Sequence, residues 1–175
     1  MLDELTAVGP HLRSSNVLSA NDPEIFKYPV AYLCEPGYWM VSDEEAESLR
    51  TYLLKGGFII FDDFAGPDWY NFADKLQVVL PGHQLVRLDP SHPIFDSFFD
   101  IDDLNHEHPV YAGIQAEYFG VFEDNDPSKR LMAIVNYNND IGDYWEWSDA
   151  GFLPIELSNE AYKLGINYIV YAMTH

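Results

Sequence analysis

YPVAYLCEPGYWMVSDEEAESLRTYLLKGGFIIFDDF, residues 28–64, reads as one strand–loop–helix–strand unit that ends on two adjacent aspartates. Val30 to Cys34 is a short, unalternating apolar run behind Pro29, the pattern of a strand buried on both faces. Ser42 opens a helix as N-cap, Glu45 completes a capping box, and Asp43 and Glu44 sit at the positive end of the helix dipole. Ala46, Leu49 and Leu53 share one face, Lys55 lies in the last turn, and Gly56-Gly57 supplies the left-handed stop. Phe58-Ile59-Ile60-Phe61 is a second apolar run, too short for a helix. Two buried strands joined by one helix predict a right-handed parallel crossover. Ligands of such sheets bind beyond the carboxyl ends of the strands, so the loops Glu35 to Val41 and Asp62 to Asp68 are expected to border a cleft.

Outward from this unit, Asp68 to Leu80 carries Trp69, Phe72, Ala73, Leu76 and Leu80 at helical spacing and stops at Pro81-Gly82. Gln84 to Leu88 reads as a strand, and Asp89 to His108 as a long loop with a turn at His92-Pro93-Ile94-Phe95. Tyr118 to Phe122 and Leu131 to Val135 read as a hairpin around the acidic turn Glu123 to Ser128. Asn136 to Gly151 reads as a loop crowded with aromatics and acids, and Asn159 to Met173 as a closing helix with Ala161, Leu164, Gly165, Tyr168, Ile169 and Ala172 on one stripe. At the start, Leu2 to Leu12 looks like a helix end and Asn16-Val17-Leu18 like a short edge strand. No strand precedes them, which reads as a chain shortened upstream of the first strand of the sheet and leaves a sheet position that a second copy could fill. The expected fold is one α/β domain over 1–175, a flavodoxin-like three-layer sandwich with a largely parallel sheet and a β-hairpin extension.

Composition narrows the function. At 175 residues with 47% hydrophobic content the chain can bury a full core. Its 29 acidic against 9 Lys and Arg residues give a net charge of −20, which repels a nucleic-acid backbone and an anionic membrane alike. Cys34 is the only cysteine, so no intrachain disulfide exists, and it reads as a buried core thiol. No apolar run reaches membrane-span length and no basic-then-apolar leader is present, so the compartment is left open.

The run from Glu35-Pro36-Gly37 through SDEEAESLRTYLLKGGFIIFDDF, then HPIF at His92, HEH at His106, NNDIGDYWE at Asn138 and LGINYIVYAMTH at the end, resembles the bacterial family called domain of unknown function 4159. The similarity covers roughly Pro23 to His175. It implies the class I glutamine amidotransferase-like grouping of flavodoxin-like folds, and a full-length protein that is exported or membrane-attached. Where that superfamily is catalytic, a nucleophilic cysteine stands on a sharp turn between strand and helix, flanked by small residues. Here Asp62-Asp63-Phe64 occupies the corresponding strand end, and Cys34 follows the previous strand with Glu35 and Pro36 beside it. Cysteine-dependent amidotransfer is therefore not expected.

Three constellations are candidates. Asp62 and Asp63 point to opposite sides of an extended strand, so one of them enters the cleft, as general base or as a cap of the next helix. His106 and His108 of the HEH segment lie on one side of an extended chain, a geometry for one divalent metal completed by His92, Asp62, Asp63 or Glu35. Asp140, Asp143, Tyr144, Trp145, Glu146 and Trp147 combine flat faces with acceptors, suited to a sugar ring or a cationic group, or to core packing. The preferred reading is a non-catalytic ligand- or partner-binding domain without cofactor, with Glu35, Asp140, Asp143, Trp145 and Glu146 at its ligand. The alternative is a hydrolase using Asp62, Asp63 or His92, metal-dependent through His106 and His108. Phosphate-loop and G-x-S-x-G patterns are lacking.

Overall fold

A computed structural model describes residues 2–9, 16–105, 108–111 and 113–175. A short helix α1 (Leu2–Leu5) precedes the 28–64 unit, which forms β1 (Val30–Cys34), α2 (Asp43–Leu54) and β2 (Phe58–Asp62). The capping box at Ser42 and Glu45 closes in both directions, and the left-handed Gly56 ends the helix. The chain continues through α3 (Asp68–Val79), β3 (Val86–Arg87), β4 (Glu117–Phe122), β5 (Leu131–Tyr137), α4 (Ile141–Glu146) and α5 (Ile155–Thr174).

The strands form one mixed sheet in the order β1-β2-β5-β4-β3. It is parallel through β1, β2 and β5 and antiparallel from β5 through β4 to β3. The expected hairpin forms and is built into the sheet, since its second strand, β5, is the central one. Alternation along β2 sends Phe58 and Ile60 to one face and Ile59 and Phe61 to the other. The first face packs with Tyr118, Ile134 and the α5 residues Ala161, Leu164 and Tyr168, the second with Leu49 and Leu53 of α2 and Phe72 and Leu76 of α3. Each such large side chain contributes about 1.5–3 kcal/mol on burial. The result is an α/β three-layer sandwich of flavodoxin-like type.

Several local expectations are corrected. β1 is not buried on both faces: it is the sheet edge, and none of its residues is buried. Cys34, at the end of that edge, is consequently exposed and not a core thiol. Asn16 to Leu18 forms no strand, and the strand expected at Gln84 to Leu88 shrinks to two residues. The stretch from Asn136 is no loop, because β5 runs on to Tyr137 and Asp140 caps α4. Among the described residues no helix is long and apolar enough to cross a membrane.

Candidate functional site

All three parallel strands end on a non-glycine residue in the left-handed region: Glu35 (φ 50°) after β1, Asp63 (φ 63°) after β2 and Asn138 (φ 58°) after β5. Such a conformation costs roughly 1–3 kcal/mol and persists where surrounding bonds enforce it. Here the Asp63 N–H donates to the Asn139 carbonyl (3.1 Å) and the Asn138 N–H to the Phe64 carbonyl (2.9 Å). The Asn138 carboxamide oxygen also accepts from the Gly66 N–H (3.1 Å). The loops after β2 and β5 are thereby stitched together at the carboxyl edge of the sheet.

Beneath this stitch lies a buried polar layer. Asp62 continues the Phe58–Ile60 face of β2 and is 0% exposed. Its Oδ2 accepts from the Tyr32 hydroxyl (2.6 Å) and the Gly142 N–H (3.0 Å), and its Oδ1 from the Asn136 carboxamide (3.0 Å). Asn136 in turn accepts from the Tyr168 hydroxyl (2.9 Å). Burial pushes the Asp62 carboxyl up to about 7 against the pull of these three donors. Gly142 is required at the start of α4, because a Cβ there would lie 2.5 Å from the Tyr32 hydroxyl. Asp62 thus ties β1, β5 and α4 together and has no oxygen left to face a ligand.

The side chains that remain available gather beside it. Asp140 caps α4, its Oδ1 accepting from the Asp143 N–H (2.9 Å). A ring nitrogen of His108 and one carboxylate oxygen each from Asp140 and Asp143 lie within 4.8 Å of one another. Burial first, then the charges of Asp62, Asp63 and Asp143, push the Asp140 carboxyl up to about 8. His108 is 1% exposed and its ring lies 4.8 Å from that of Tyr144 and 5.5 Å from that of Tyr111, centroid to centroid. Its Nδ1 accepts from the Val110 N–H at 3.3 Å, and its Nε2 is buried without a hydrogen-bond partner. Among the described residues the other buried side-chain nitrogen in that condition is Nδ1 of His83. Burial lowers the His108 pKa, while Asp143 and Asp63 oppose that shift. Asp63 stands over the cluster half-buried, and its Oδ1 accepts from the Tyr111 hydroxyl (3.2 Å).

The structure therefore brings together Asp62, Asp63, His108, Asp140 and Asp143, and separates the rest. His106 lies outside the described residues. His92 belongs to the opposite edge: its Nδ1 accepts from the Ile94 N–H and its ring packs on Phe122 and Tyr171, so it cannot complete the cluster. Trp145 is a structural bolt between α4 and α5, donating from Nε1 to the Ala161 carbonyl (3.0 Å) and filling the space over Gly165. Its ring packs tilted against that of Tyr32. Glu146 is exposed on the outer side of α4, and Glu35 is exposed just past β1. Tyr32, Tyr111 and Asn136 escaped the sequence reading, since each matters through a partner distant in the chain. One signal was present: Asp140 followed by Asp143 is the spacing of an N-cap and its acceptor-bound N3 residue.

The thiol of Cys34 is pushed up, first by burial and then by Asp63, Glu35 and Asp140, so thiolate formation is opposed. A lone, exposed cysteine in acidic surroundings argues against cysteine-dependent catalysis. A cavity of about 800 Å³ lined by Leu5, Val30, Phe98, Ile169 and Met173 lies away from the cluster. No protein of curated function matches the chain. A family model does match residues 1–173, and the chain belongs to that family, described as domain of unknown function (DUF4159).

Proposed function

We propose that this chain is a divalent-metal-dependent hydrolase whose ion is held by His108, Asp140 and Asp143. The observation that carries the reading is His108, which has a ring nitrogen grouped with a carboxylate oxygen each of Asp140 and Asp143 and an Nε2 buried without a partner. An orphaned buried donor costs about 1–3 kcal/mol, and clustered carboxylates repel one another; a cation removes both penalties. One imidazole and two carboxylates form a donor set suited to Zn²⁺, Mn²⁺ or Fe²⁺. Because Nδ1 accepts from Val110, the neutral ring carries its proton on Nε2. Ligation through Nε2 would move that proton to Nδ1 and set it against the Val110 N–H, a cost of about 1–3 kcal/mol, small beside a metal–ligand bond.

A bound divalent ion supplies a water ionised near neutral pH and a Lewis acid. Asp63 would serve as the general base: it is solvent-reachable, oriented by Tyr111, and stands where β2 turns sharply towards α3. A strained residue between strand and helix is the geometry of a nucleophile elbow. That geometry supports the finer grouping with class I glutamine amidotransferase-like folds, with an acid in place of the thiol. Asp62 acts as a support for the site, since its oxygens already accept three hydrogen bonds.

The test is thermal shift and calorimetry of the purified chain with Mn²⁺ and Zn²⁺, followed by metal-dependent hydrolysis of p-nitrophenyl esters and p-nitroanilides. One ion per chain is expected, with a rise in Tm that is lost in Asp143→Asn. Failure of both ions to bind at millimolar concentration ends the proposal. Metal binding without turnover on any substrate leaves the second reading, a binding module; the position of the large cavity away from the cluster favours that reading.

A further inference from the structure

We infer that the open edge of β1 is a self-association surface, where a second copy of this chain adds its own β1 antiparallel about a two-fold axis at Tyr32; this is independent of the metal reading. The ladder to β2 fixes which groups are free. The Phe58 N–H donates to the Pro29 carbonyl (2.9 Å) and the Glu35 N–H to the Asp62 carbonyl (3.2 Å), so by alternation Ala31 and Leu33 also face β2. Val30, Tyr32 and Cys34 therefore aim three N–H and three carbonyl groups out of the sheet, and no other described residue hydrogen-bonds to them. A row of this kind is a template for another strand.

The two edges of the sheet differ in how they meet that hazard. β3, at the far edge, is two residues long and carries Arg87, paired with Glu117 (3.1 Å), the short and charged strand that discourages pairing. β1 runs five residues in unbroken register with β2 and contains no charge, proline or bulge. Tyr32 is 42% exposed and Cys34 is exposed, so the edge can be reached. Setting Val30 opposite Cys34, Ala31 opposite Leu33 and Tyr32 opposite itself uses all six outward groups of each copy and lays tyrosine against tyrosine, a favourable cross-strand pair. Charge selects the same direction. The amino end of β1 carries Lys27 and Lys55 against Asp22 and Glu24, whereas its carboxyl end carries Glu35 and Asp63. A parallel neighbour would set Glu35 beside Glu35; the antiparallel one turns these acids towards the bases. Past Val30, the apolar cavity lined by Leu5, Phe98, Ile169 and Met173 continues the uncharged surface of the strand.

The experiment sediments the metal-free chain from about 5 µM to about 1 mM. One strand pair is a small, transient contact, so a dimer with a Kd of about 10–100 µM is expected, tightening severalfold from low to physiological salt as screening relieves the repulsion of two chains of charge −20. Cys34→Pro removes one outward N–H and no bond to β2, so it should fold and weaken the dimer about tenfold or more. Val30→Cys gives a second measurement. Within one strand positions 30 and 34 stand about 13 Å apart, beyond disulfide reach, whereas in the two-fold pair the introduced thiol faces Cys34 of the second copy. Oxidation should therefore yield a covalent dimer of Val30→Cys and none of the unaltered chain, whose two Cys34 thiols lie at opposite ends of the pair. A monomer at about 1 mM, a dimer that Cys34→Pro leaves intact, or ready Cys34–Cys34 cross-linking of the unaltered chain overturns the inference. So does slow amide exchange of Tyr32 and Cys34 in the dilute monomer, which would mean that the chain covers this edge itself. Should Cys34→Pro fail to fold, the cross-link of Val30→Cys decides.

Discussion

His92 and His108 begin from the same local sequence and end in opposite chemistry. Each precedes a proline, each uses Nδ1 to accept a backbone N–H two residues on (3.2 Å from Ile94, 3.3 Å from Val110), and each opens a short 3-10 turn. Burial lowers the pKa of both rings. His92 then packs on Phe122 and Tyr171 at the amino edge of the parallel strands, where its ring completes an apolar contact. His108 is set at the carboxyl edge against Asp140 and Asp143, with Nε2 unpartnered. The local motif sets rotamer and tautomer; the position in the sheet sets what the ring can do.

The comparison rests on the scaffold that holds His108's neighbours, so the largest effect is expected there. Asp62→Ala orphans three donors, from Tyr32, Gly142 and Asn136, and should cost about 3–5 kcal/mol in urea unfolding; a cost under about 1 kcal/mol would show that the buried layer is not the anchor of the site. The two histidines are then separated directly. His108→Ala should weaken Mn²⁺ by about 100-fold or more, whereas His92→Ala should keep Mn²⁺ affinity and lose about 1–2 kcal/mol of stability. Equal metal affinities for the two variants would erase the distinction.

A further prediction concerns Gly142. Gly142→Ala forces a Cβ against the Tyr32 hydroxyl and should cost about 1–3 kcal/mol, partly recovered by Tyr32→Phe in the double variant. Additive effects of the two changes would mean that α4 simply moves away.

The raised carboxyls set a graded pH dependence. Asp62 at about 7 and Asp140 at about 8 hold protons in the folded chain that the unfolded chain releases from about pH 4 upward. Their contribution to stability is therefore full below about pH 4 and is lost as pH rises to about 7 and 8. Without metal, Tm should fall from pH 5 to pH 8, and Mn²⁺ should flatten the slope; a metal-free chain most stable at pH 8 contradicts this. The smallest effect belongs to Cys34, where Cys34→Ser should change stability by less than about 0.5 kcal/mol and leave metal binding unchanged.

Much of the fold was legible because its signals are local. The Ser42–Glu45 box, the Gly56 stop and the apolar run of β2 each act within a few residues, and the expected helices and hairpin stand at those places. The errors came from the same reliance on neighbours. Val30 to Cys34 has the composition of an interior strand but lies at the edge, because strand order is not written in any one strand. Asn138 to Trp147 looked like a loop through its polar start, yet Asp140 is polar because it caps α4, and Trp145 is aromatic because it bolts α4 to α5. For the site, the paired acids after β2 were visible, as was the expectation that only one of them reaches the cleft. Which acid that is follows from Tyr32, Asn136 and Gly142, contributed by three separate elements.

By itself the amino-acid sequence determined the helices α2, α3 and α5, the strand β2 and the β4–β5 hairpin, the acidic carboxyl-edge loops without Lys or Arg, and the unsuitability of Cys34 for an elbow, since each depends on residue identity and short spacing. Only the tertiary structure decided that Asp62 is sealed while Asp63 is open, and that His108 and not His92 meets Asp140 and Asp143. The reason is physical: burial and hydrogen-bond satisfaction are properties of packed neighbours, and these neighbours arrive from β1, β5, α4 and the turn at Pro109–Tyr111.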